Sequence, residues 1–323
     1  MSLTTAPPKP APEPPPEPDR RPGGTTATLP ATPPDPEAAR LAAAHGLRIS
    51  GERPGLLAYT RQLWGRRQFI AAFATARMSA TYSTARLGQV WHLMTPLLNA
   101  AVYYFVFGVI LDARSGTPQF IPYLVTGVFV WDFFSSAFTS GTRAVSGNLG
   151  LVRALQFPRA ALPVSAVVQL FQQLMVTMGA LALILLAFGQ PPRPSWLLAL
   201  PALALLAVFC AGCALVMARI GSRTPDVQQL MPFLLRTWMY FSGVMWNIGP
   251  TLEKHHVPHA VTLAFQWNPA ALYIDLVRCA LLDSHHAHQL PHHAWALAVG
   301  WALLAGIGGF VWFWKAEEEY GRG

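Results

Sequence analysis

The 21 residues from Ala294 to Trp314 carry no charged side chain, and five other segments of similar length are nearly as apolar. About 20 helical residues cover the ~30 Å hydrocarbon core of a bilayer. A helix also satisfies its own backbone hydrogen bonds, which a lipid-exposed span requires. Six crossings are therefore predicted: Val90 to Leu111, Phe120 to Thr139, Leu162 to Phe188, Trp196 to Met217, Leu230 to Ile248 and Ala294 to Trp314. The fold class that follows is all-α, a polytopic membrane protein. Composition agrees, because only 12% of the 323 residues are charged and 53% are hydrophobic, too few charges to keep a soluble surface wet.

A net charge of +8 raises nucleic acid as a partner, so the placement of the basic residues has to decide. They sit between apolar runs and form no Lys-rich tract, which argues against nucleic acid. Arg61, Arg66, Arg67, Arg77 and Arg86 precede the first span; Arg143, Arg153 and Arg159 lie in the second connection; Arg219 and Arg223 flank the fourth. The first and third connections carry only Arg114 and Arg193. Cytoplasmic loops are enriched in Lys and Arg. Both termini are thus expected on the cytoplasmic side of the cytoplasmic membrane.

Residues 1–36 hold 13 of the 29 prolines. Such a composition cannot build a core, so residues 1–52 are expected to be a disordered, uncleaved, cytoplasmic tail ahead of a membrane domain at 53–323. From Leu56 to Ile70, Leu56, Tyr59, Leu63 and Ile70 share one helical face while Arg61, Gln62 and Arg66 fall elsewhere. That pattern predicts an amphipathic helix in the inner interface. Between the last two spans, Val257 to Trp267 and Ala270 to Leu282 are each below crossing length. Asn268 and Pro269 read as the N-cap and first residue of the second helix. Together these segments predict a re-entrant hairpin, with Trp267, Asn268 and Pro269 at its tip.

No chemistry-bearing constellation is legible. The lysines follow Pro, Glu and Trp, so no Gly-Lys-Ser/Thr phosphate loop exists. Cys210 and Cys213 form a single CxxC inside an apolar helix and read as packing. His285, His286, His288, His292 and His293 cluster on the outer side, in a stretch with the look of a flexible loop rather than a fixed metal site. No metal or cofactor is expected in this chain.

Tyr103, Tyr104, Trp131, Trp238 and Tyr240 are the aromatic candidates for a substrate conduit, since flat faces stack on sugar rings without trapping them. Asp132 and Arg236 are ionisable groups within apolar spans. Ser165, Gln169, Gln172 and Gln173 form a polar stripe suited to hydrogen bonds between helices.

Three stretches resemble the ABC-2 type permeases that export O-antigen, teichoic acid and cell-wall galactan: LGQVWHLMTPLLNAAVYYFVFGVIL from Leu87, NLGLVRALQFPRAALPVS from Asn148, and WNPAALYIDLVRCALL from Trp267. The resemblance implies a permease for a lipid-linked polysaccharide, paired with a second copy of itself and two ATP-binding subunits that hold ATP and Mg. It also implies a coupling helix at about Ser146 to Phe157, where Leu151, Val152, Arg153 and Leu155 would meet the ATPase. A permease for a drug or small lipid shares the fold and stays open as an alternative. A membrane glycosyl- or acyltransferase is the third reading, although its facing carboxylates and histidines are not legible.

Overall fold

The structure, a computed structural model, describes residues 55–81, 88–110, 119–154, 157–248, 258–283 and 293–317. The Pro-rich tail, His285, His286, His288 and His292 lie outside them. Among the described residues the regular elements are all helical: α1 (Leu56–Gly65), α2 (Arg67–Thr81), α3 (Trp91–Tyr103), α4 (Phe120–Arg143), α5 (Leu149–Ala154), α6 (Ala161–Ala187), α7 (Ala199–Arg223), α8 (Val227–Tyr240), α9 (His259–Gln266), α10 (Pro269–Leu281) and α11 (Ala294–Trp314).

Five helical stretches are long and apolar enough to cross a membrane among these residues: Leu93–Ile110, Phe120–Arg143, Ala161–Ala187, Pro194–Arg223 and Ala294–Trp314. The first is α3 continued by the π-helical turns Tyr104–Ile110. The segment predicted as a further crossing, Leu230 to Ile248, comes out differently. There α8 has 14 residues, about 21 Å at the helical rise of ~1.5 Å per residue, and stops at Tyr240. Beyond it the chain turns through Gly243, whose φ of 62° lies in the left-handed region open to a residue without Cβ.

The core is built on α4, where Tyr123, Leu124, Phe129, Phe134 and Ala137 are buried. Small residues bring the backbones together, as lipid-immersed helices require. A Cβ on Gly212 of α7 would fall on the backbone of Ala305 in α11, and one on Gly309 would fall on Gly212. At the other face of α7, a Cβ on Gly141 of α4 would come within 2.8 Å of the Ala214 backbone.

The predicted interface helix is two helices, broken at Arg66. Its apolar face turns inward: Tyr59 and Ile70 are buried, while Leu57 and Trp64 are exposed beside Arg61, Arg66 and Arg67. Helix α2 lies against α6 through the predicted polar stripe. Gln172 Nε2 donates to Thr75 Oγ1 at 3.1 Å and Gln169 Nε2 to Thr81 Oγ1 at 3.4 Å. These side chains join helices, as their type in an apolar span predicts.

Candidate translocation face and coupling segment

The end of α8 exposes carbonyls that no helix satisfies. Arg278 of α10, fully buried, closes them. Its Nη1 donates to Gly243 O and its Nη2 to Val244 O, both at 2.8 Å, and its Nε donates to Tyr123 O at 3.2 Å. Asp275, one turn back, accepts from Nη1 at 3.2 Å and offsets the charge. The guanidinium lies 3.5 Å from the Tyr123 ring centroid. Tyr123 Oη donates onward to Gly243 O and Trp246 O. Gly127 leaves the space for this group, since a Cβ there would strike Arg278 Nη2.

A second latch joins α8 to the turn between α9 and α10. Asn268 caps α10 by accepting from Ala270 N at 3.1 Å. The same Oδ1 accepts from Trp238 Nε1 at 3.0 Å, and Nδ2 donates to Phe241 O at 2.9 Å. Trp238 in turn packs edge-on against Phe134 and Phe138, with centroids 5.0 and 5.6 Å apart. The turn carrying Asn268 therefore sits beside the half of α4 that ends at Arg143. The far end of α10 is held at the opposite level, where Asp283 pairs with Arg193 at 2.5 Å and its amide donates to Gln190 Oε1 at 3.1 Å. Trp267 is 56% exposed beside the latch, and Pro269 begins α10.

The five aromatic candidates separate. Tyr240 is 47% exposed on α8, and Tyr103 is half-buried within electrostatic reach of both Tyr240 and Arg236. Tyr104 turns toward α4, its ring 6.3 Å from Phe120. Trp238 is occupied by its latch. Trp131 is buried and stacked on Phe134, within the core rather than on the face that Tyr103 and Tyr240 share. Asp132 and Arg236 form no ion pair with each other among the described residues.

At the end of the bundle where α4 finishes, α5 is a six-residue helix. Val152 is buried there, Leu151 is half-buried, and Leu149 is 39% exposed. Leu155 lies outside the described residues, as does the side chain of Arg153. Ser146, just before α5, accepts from Gln228 Nε2 of α8 at 3.2 Å. Just after it, Arg159 N donates to Glu317 Oε1 at 3.0 Å, and Tyr59 Oη donates to Glu317 Oε2 at 2.8 Å while accepting from Ala160 N. Glu317 thus ties α1 and the segment after α5 to the end of α11. Burial pushes its carboxyl above the ordinary range, against the opposing pull of the bonds from Arg159 and Tyr59. Glu317→Ala removes the acceptor from two part-buried donors, which costs about 1–3 kcal/mol. A lower unfolding temperature in detergent is the expected result; an unchanged one would show that this junction is not structural.

Residues 68–282 match the family model described as ABC-2 type transporter. The chain belongs to that family. The match runs from α2 to the end of α10, so it includes α5, α8 and both latches. An O-antigen export system permease protein, RfbA, of Myxococcus xanthus is 25% identical over 242 residues, covering 73% of this chain and 87% of the relative. A protein of the same name from Klebsiella pneumoniae is 23% identical over 198 residues, 61% of this chain and 73% of the relative. The polysialic acid transport protein KpsM of Escherichia coli is 21% identical over 255 residues, 77% and 93% respectively.

This ABC-2 transporter chain is a multi-pass membrane protein and a transporter subunit. Three residues that the structure singles out escape a reading by residue type. Arg278 looks like one more basic residue in a helix; its signals are Asp275 one turn earlier and Gly127 in a facing span. Glu317 is hidden in a run of three acids. Leu149 is separated from the apolar positions 151, 152 and 155 by Gly150. Among the described residues, no group of three or more His, Cys, Asp or Glu side chains forms a metal site.

Proposed function

We propose that this chain is the permease subunit of an ABC exporter that moves a lipid-linked polysaccharide across the cytoplasmic membrane. ATP and Mg are bound by a separate subunit, two copies of which serve two copies of this chain. The observation that carries the reading is the similarity to relatives named for O-antigen export and for polysialic acid transport, which extends over most of each relative. Both termini face the cytoplasm in this reading, as the arginine placement argues, and α9 with α10 forms a re-entrant hairpin. The level of Asn268 beside Trp238 supports that hairpin.

The segment around α5 receives the ATPase. Its motion reaches α8 through the bond between Gln228 and Ser146, and α1 and α11 through Glu317. Helix α8 borders the path, and Tyr103 with Tyr240 presents aromatic faces to successive sugars. Stacking of about 1 kcal/mol per contact releases each sugar while adding along the chain. The double variant Tyr103→Ala, Tyr240→Ala should assemble normally but export less polymer and accumulate its lipid-linked precursor inside. Export at the parental rate would place the path on another face.

A further inference from the structure

From Pro122 to Trp131 every residue of α4 is buried, and between Asp132 and Thr142 the half-buried ones are Asp132, Ser135, Ser136, Thr139 and Ser140. All five are polar. Other long helices do the opposite: α6 exposes Leu183 and Leu186, α7 exposes Leu200 and Val208, and α11 exposes Leu303 and Ile307, surfaces that match lipid tails. The remaining sides of this half of α4 are taken. Gly141 lies against the α7 backbone, Phe133 meets Phe171 of α6 with centroids 6.1 Å apart, and Phe134 and Phe138 meet Trp238 of α8. Asp132 is nine residues before Gly141, which at ~100° per residue puts it half a turn out of phase. The polar stripe therefore turns away from α7, between the side that meets α8 and the side that meets α6.

Asp132 is the thirteenth of the 24 residues of α4, a helix long and apolar enough to cross a membrane. At ~1.5 Å per residue, about 16 Å of helix or more separates it from either end, beyond the reach of so short a side chain. Its carboxylate has no hydrogen bond or ion pair among the described residues, and the hydroxyls of Ser136 and Ser140 have no hydrogen bond there either. Asp132, Ser136 and Ser140 recur every four residues, a row with steps of ~6 Å. Beside them, Ser135 and Thr139 spend their protons on the carbonyls of Asp132 and Ser135, which leaves lone pairs facing outward. The stripe is thus rich in acceptors and poor in donors.

An acid inside a span is costly unless it meets a polar path or a partner. A second copy docking stripe to stripe would set two carboxylates against each other, which disfavours both. A sugar chain fits instead. Each ring brings several hydroxyl donors, and an O–H donated to a carboxylate makes a stronger bond than one donated to a neutral oxygen. We propose that Asp132, with Ser136 and Ser140, forms a binding site for the sugar hydroxyls of the glycan, on a water-filled side of α4. The site deepens the export reading and rests on it. The carboxylate accepts from one sugar, and the serines one and two turns further on engage those that follow toward Arg143.

The test places the full chain with its ATPase in phosphatidylcholine nanodiscs and measures how fast a water-soluble, positively charged methanethiosulfonate labels Ser135→Cys. The parent chain gives the background from its own cysteines, and Leu183→Cys, on the exposed apolar side of α6, is the lipid-facing control. Ser135→Cys should react about tenfold faster than Leu183→Cys or more, because the thiolate is the reacting form and apolar surroundings suppress it. Equal rates would mean that lipid or a second copy covers the stripe, and would overturn the site. Lipid-linked glycan extracted from the cells that make this chain should then slow the labelling, whereas undecaprenyl diphosphate without sugars should not. Equal protection by both would assign the site to the lipid carrier and overturn the proposal. Adding Asp132→Asn, which keeps the shape of the side chain, should raise the glycan concentration needed for protection about tenfold, the scale of one hydrogen bond to a charged group. An unchanged concentration would remove Asp132 and sink the site. Glycan export by the parent, measured alongside, separates the two readings. Export without protection sinks this site alone, whereas a parent that exports no glycan sinks the export reading itself.

Discussion

Arg278→Ala is expected to remove most of the folded protein from the membrane. The substitution leaves the carbonyl of Val244 without a donor, weakens the hold on Gly243 and Tyr123, and takes the guanidinium away from the Asp275 carboxylate one turn away. Removing one partner of a buried charged network costs about 3–5 kcal/mol, a large part of the roughly 5–15 kcal/mol that holds a domain together. Arg278→Lys should fall between, because an ammonium cannot reach three carbonyls on two elements as a planar fork does. The measurement is the yield of monodisperse protein after detergent extraction. Parental yield from the alanine variant would mean that the break after α8 is held by something other than Arg278.

The second large effect is expected at α5. Leu149 and Leu151 expose apolar surface on a segment bonded at both ends to the rest of the bundle. Replacing both with Asp should abolish ATP hydrolysis stimulated by the permease and prevent recovery of the ATPase with it, since a carboxylate buried in an apolar contact without a partner is strongly disfavoured. Val152→Asp is the contrast: Val152 is buried, so that variant should be lost at the folding step instead. A Leu149→Asp, Leu151→Asp protein that is well folded and still fully stimulated would remove α5 from the coupling role.

Much of this architecture is legible before any coordinates, because a bilayer allows few solutions. Five of the predicted crossings recur as long helices within a few residues, and Asn268 caps α10 as its position before Pro269 predicts. The segment Leu230 to Ile248 is different for a physical reason. Its apolar content is that of a span, but Gly243 takes a left-handed turn and Arg278, 35 residues away, supplies donors that make the unwound backbone tolerable. Local periodicity carries no trace of a donor so distant in sequence. The same limit explains the interface helix: the spacing of Tyr59, Leu63 and Ile70 reveals an apolar face but not that Glu317, 258 residues from Tyr59, would turn it toward protein. Aromatic type alone likewise could not separate Trp131, deep in the core, from Tyr240 on the exposed face.

The central claim is that this ABC-2 transporter chain moves a polysaccharide. The direct measurement is transport by the purified chain and its ATPase in sealed proteoliposomes loaded with a lipid-linked polysaccharide on the ATPase side, read by a lectin that cannot cross the bilayer. ATP should bring the glycan within reach of the lectin on the opposite side, and vanadate should stop it. If the glycan stays on its original side while ATP drives movement of a drug or a small lipid in the same vesicles, the chain belongs to a different class of exporter.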